Sequence, residues 1–100
     1  MTASIGIWAE GDQGGEVVLY RWEADQRHGF VTFEVEAQRF RPVDSSGRPV
    51  GDLLFDYAAG EAVGAAEGVD RGLFGQVVVA IMRAYRRAGV APATAHAYYY

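Results

Sequence analysis

Glu34 and Glu36 stand two residues apart in a stretch rich in β-formers, residues 30–43, so both carboxylates leave one side of a strand. Paired carboxyl groups repel, which splits their pKa values and suits them to general acid and base roles. They could also hold a divalent cation through oxygen. No Asp-x-Asp or His-x-His spacing accompanies them, so no metal and no cofactor is assigned. Glu10 and Glu23 fall on the same side by strand parity. The four, Glu10, Glu23, Glu34 and Glu36, therefore read as a partner-binding surface partly neutralised by Arg21.

The remaining candidates read as structural. His28 and His96 are the only histidines, one in a turn and one in the tail, and nothing in the spacing brings them together. Gly11-Asp12-Gln13-Gly14-Gly15 is rich in glycine but lacks the lysine and the strand-to-helix context of a phosphate loop, so it joins two strands. Ser45 and Ser46 have no nucleophile-elbow surroundings. Arg83, Arg86 and Arg87 share a narrow polar arc with Gln76 and could grip a phosphate or an acidic partner bidentately. Their place near a helix C-terminus already suits cations. No catalytic residue is assigned.

These side chains must be held by elements, and the chain of 100 residues suggests one domain spanning 1–100. Its first part alternates short apolar stretches with Gly, Asp and Ser clusters. Four strands follow from that pattern, at 4–10, 16–25, 30–43 and 50–57. If residues 26–29 form the second turn, Asp25 meets Phe30 and Trp22 lies opposite Phe33. This register sends Val18, Tyr20, Trp22, Val31, Phe33 and Val35 to one face. Arg21, Glu23, Glu34 and Glu36 go to the other, with Arg21 across from Glu34. Ile5, Ile7 and Ala9 join the apolar face from the first strand. Leu53, Phe55 and Tyr57 join it from the fourth.

A helix must cover that face. Asp70 suits its N-cap and Gly89 its C-cap, with Pro92 beyond. Leu73, Val77, Ala80, Ile81, Ala84 and Ala88 recur at helical spacing. Phe74, Val78, Met82 and Tyr85 form a second apolar row, so the apolar arc is roughly 200° wide, about twice the ~100° one sheet needs. The second row reads as the interface of a homodimer, or as a surface for residues 58–69 folded as a short helix or for the aromatic tail. The tail, with Thr94, His96 and Tyr98 alternating, suits a fifth strand at the sheet edge. The expected fold is α+β: a four-stranded antiparallel meander packed on one face by a C-terminal helix.

Composition narrows the function classes. Cysteine is absent, which removes disulfides, thiolate metal sites and a cysteine nucleophile. All nine cations are arginine and the net charge is −4, so affinity for nucleic acid is not expected. No apolar run approaches the ~20 residues of a membrane span, and no leader pattern opens the chain. The expectation is a bacterial cytoplasmic, acidic protein-binding module without catalytic activity. Its partner would be another, basic protein, covered by charge steering and occlusion as immunity proteins and antitoxins do, an analogy of physical type. The alternative is a small enzyme or small-molecule-binding protein of a biosynthetic pathway. Its pocket would lie between sheet and helix, lined by Trp22, Tyr20, Tyr85 and His96.

Overall fold

Alternation of large apolar and polar residues builds the sheet. A computed structural model describes residues 3–99. It contains β1 (Ala3–Glu10), β2 (Val17–Ala24), β3 (Arg27–Glu34), β4 (Arg39–Val43), β5 (Leu54–Asp56) and β6 (Glu61–Val63), then α1 (Arg71–Ala88) and β7 (Thr94–Tyr99). The strands form one sheet in the order β6-β5-β4-β3-β2-β1-β7, antiparallel at every junction. The α+β class with one antiparallel sheet and one C-terminal helix is as expected. The strand count is not: seven replace four plus one.

Two differences arise inside the stretch 30–43. It is not one strand. The chain turns back at residues 35–38, with Gln38 in the left-handed region at φ 55°, and Phe40 comes to lie opposite Phe33. The β2–β3 connection is also shorter than expected. Only Asp25, at φ 56°, and Gln26 separate Ala24 from its partner Arg27. The register therefore moves by four residues: Trp22 faces Gly29, Tyr20 faces Val31, and Val18 faces Phe33. Four is even, so the side chains that β2 and β3 pair keep their expected faces. Gly29 is required inside β3 because the Trp22 indole fills the place of a side chain there. A Cβ on Gly29 would stand 2.7 Å from a ring carbon.

Residues 58–69 form no helix. After β6 the segment returns over the β4–β5 link, where Asp52 N–H donates to the Ala65 carbonyl and the Asp52 carboxylate accepts from Ala65 N–H, both at 2.9 Å. Gly64, at φ 79°, lets the backbones approach. A Cβ there would overlap the Asp52 carbonyl.

The helix begins and ends where the sequence places it. Asp70 accepts from Leu73 N–H at 3.1 Å, and Gly89, at φ 77°, donates its N–H to the Tyr85 carbonyl at 2.7 Å. Both apolar rows are covered within one chain. Phe74, Val78 and Met82 are 3%, 0% and 0% exposed. Phe55 packs edge-on to Phe74, and Phe33 to Tyr85, so β3–β5 cover the second row while Ile5, Ile7 and Ala97 join the same core from β1 and β7. The premise for a dimer built on Phe74, Val78, Met82 and Tyr85 falls here. Phe74, Val78 and Met82 are already buried in their own chain and Tyr85 is partly buried against Phe33, so this row offers a second copy little apolar surface. The tail is docked as a strand: β7 pairs with β1, and the fully buried Tyr20 hydroxyl donates to the Pro92 carbonyl at 2.7 Å, fixing the link before it. Burial raises the Tyr20 pKa well above that of an ordinary phenol.

Candidate functional site: the open face of the sheet

The helix covers one face of the sheet only, and the opposite face carries the residues left over by alternation. Pairing across the strands sets their neighbours. One row reads Thr94, Trp8, Arg21, Phe30 and Val43 from β7 to β4. The next, on one side, reads His96, Gly6, Glu23 and His28. On the other side come Glu10, Leu19, Thr32 and Arg41.

Three of the four expected glutamates lie on this face and one does not. Glu10, Glu23 and Glu34 belong to it, but in different rows. Leu19, the β2 partner of Glu10, lies four residues from Glu23, roughly 13 Å of strand. Glu36 is exposed in the 35–38 turn, outside any strand, so it makes no pair with Glu34. Arginines interleave. Arg21 Nη2 stands 3.2 Å from Glu23 Oε2, on its own strand, not across from Glu34. Arg41 Nε lies 3.8 Å from Glu34 Oε1, and Arg39 Nε 3.6 Å from Asp56 Oδ2. The face is of mixed charge. Among the described residues no group of three or more acidic or histidine side chains is placed to hold a metal.

The histidines do not converge. His96 and His28 lie in one row, three strand spacings apart, or about 14 Å. The His96 ring lies 4.8 Å from the Tyr98 ring, tilted to it by 57°.

Sequence reasoning passed over Trp8, on the strand next to the β7 edge. Trp8 is 42% exposed, and its six-membered ring lies over Gly6, where a Cβ would stand 2.7 Å from a ring carbon. No protein-family model, no curated protein and no solved structure matches the chain. The site is therefore read from its own geometry. A signal for Trp8 was present: Ile5, Ile7 and Ala9 face the helix, so parity alone sends the indole between them to solvent.

Two concavities flank the core. The first, of about 370 Å³, opens between the β2–β3 hairpin and the start of α1, walled by Trp22, Val43, Val69, Leu73 and Phe74. At its rim Arg27 Nη2 meets Asp70 Oδ2 at 3.1 Å. Backbone donation from Leu73 and the Arg27 guanidinium hold the Asp70 carboxyl below its ordinary pKa. Of the four residues expected to line one sheet–helix pocket, Trp22 lines this cavity and His96 a different one, so the four do not share a pocket. Tyr20 is bonded to Pro92, Tyr85 packs on Phe33, and His96 lies on the second concavity, beside β7.

Proposed function

We propose that this chain is a protein-binding module whose partner seats on the open face of the sheet, with Trp8 as the anchor. The observation that carries this is a tryptophan held out of the core. Its ring rests on Gly6 of the same strand, one strand in from the β7 edge, so little side-chain freedom is lost when a partner covers it. Around it stand Arg21, Phe30 and Leu19, with Tyr98, 65% exposed, one strand further out. Trp, Tyr and Arg are the residues that carry most binding energy at interfaces, whereas a merely solvated face is richer in Lys, Glu and Thr.

In this reading Glu10, Glu23, Glu34 and Glu36 form a charged periphery. Their pairing with Arg21 and Arg41 lowers the local negative charge, so they steer a basic partner into place more than they hold it. Affinity capture with the purified chain as bait, followed by titration of the captured protein, tests the assignment. Trp8→Ala should weaken binding by about 2 kcal/mol, roughly thirtyfold. Glu23→Gln with Glu34→Gln should slow association and reduce its salt dependence, leaving dissociation nearly unchanged.

A second reading rests on the cavity beside Trp22. Its walls are apolar and its rim polar, the usual make-up of a small-molecule site. Saturable binding of a small aromatic probe, abolished by Val69→Trp, would support that reading. Unsaturable or Val69-independent binding would remove it.

A further inference from the structure

Arginines in this protein are mostly partnered. Arg21, Arg27, Arg39 and Arg41 each meet a carboxylate, and Arg86 lies 5.4 Å above the Tyr57 ring. Among the described residues Arg48, Arg71, Arg83 and Arg87 have no such partner, and of these Arg83 and Arg87 lie together. Neither of the two has a carboxylate within ion-pair distance among the described residues, although the chain has thirteen acidic residues and a net charge of −4. They stand one helical turn apart, where like charges repel. Both line one groove of about 480 Å³ beside β7.

The groove exists because its floor is small. Ala80 and Ala84 on the helix, with Ala95 and Gly6 on the sheet, hold back no space-filling side chain. Its rim is made of donors: the two guanidinium groups, the Thr94 hydroxyl and the His96 ring. No acidic residue lines it, and Trp8 supplies an aromatic wall. Two adjacent guanidinium groups without a counter-charge match a doubly charged oxyanion, which each can grip through two N–H donors. The indole suits a flat group attached to that anion. We propose that the groove between the C-terminal half of α1 and β7 binds a phosphate monoester carrying a planar organic group.

This site is separate from the partner-binding reading, because Arg83 and Arg87 take no part in the open face, although Gly6, Trp8, Thr94 and His96 border both. Calorimetric titration of the intact chain with phenyl phosphate, inorganic phosphate and benzoate tests it. Phenyl phosphate should bind more tightly than inorganic phosphate, which lacks the ring, and than benzoate, which lacks the second charge. Arg83→Gln and Arg87→Gln should each weaken phenyl phosphate by about tenfold or more, with an unchanged circular dichroism spectrum. Both side chains are exposed, so the variants test binding and not folding. Ala84→Leu, which raises the floor, should act in the same direction. Absence of phenyl phosphate binding, binding indifferent to both arginines, or benzoate binding as tightly as phenyl phosphate would each overturn the assignment.

Discussion

Phe33 and Trp22 both point at the helix, yet their surroundings differ. Phe33 is fully buried, stacked on Phe40 with ring centroids 4.6 Å apart and an interplanar angle of 1°. Trp22 walls an open cavity and is half-buried. Phe33→Ala should therefore cost about 3–5 kcal/mol in urea unfolding, and Trp22→Ala clearly less. Equal losses would mean that the cavity is closed. The acid limb of stability also belongs to this scale. Asp44 has its carboxyl pKa lowered by the Ser46 hydroxyl and by backbone donors of its turn, and Asp70 by the helix cap and Arg27. A lowered folded pKa means stability that is complete above the ordinary carboxylate range and is lost as pH falls below it. A melting temperature that declines below that range, and declines less in Asp70→Asn, is the expected outcome. Outward direction of Glu10, Glu23 and Glu34 was legible from parity. Their neighbours were not, because an ion pair depends on register, and the register moved by four.

Elements show why it moved. Turn chemistry usually announces itself with Gly, Pro, Asn, Asp or Ser; the 35–38 turn has none of them, and the β2–β3 turn has only Asp25. Asp25 and Gln38 take the left-handed conformation, while Gly29, which resembles a turn residue, serves inside β3 under Trp22. A fourteen-residue strand was itself a warning, since strands usually run 3–10 residues. The caps of α1 were legible because they rest on local bonds from Asp70 and Gly89. The Ala- and Gly-rich segment carried no period, so β6 could not be read from it. Gln38→Gly makes the hairpin testable. Relief of the left-handed strain should raise stability by up to about 1 kcal/mol. A loss of stability would point to a continuous extended strand at that position.

At the scale of the whole molecule, the wide apolar arc of α1 is explained by the sheet, not by a second copy. Seven strands reach both sides of one helix, so a face twice the ordinary width is still covered. Val78→Glu and Met82→Glu would each place a charge in a fully buried site. Both should unfold the chain at every protein concentration, as read by circular dichroism. A folded, soluble Met82→Glu chain would show that this row lies at a surface.

The same economy leaves the other face of the sheet open, and Trp8 stands out from it on β1, one strand in from the β7 edge. Quantitative affinity capture is the direct measurement, using the unaltered chain, Trp8→Ala, and Val90→Ser as an exposed control away from that face. The account expects a protein retained by the unaltered chain and by Val90→Ser but lost with Trp8→Ala, while all three baits melt as folded chains. A partner retained equally by Trp8→Ala would contradict it.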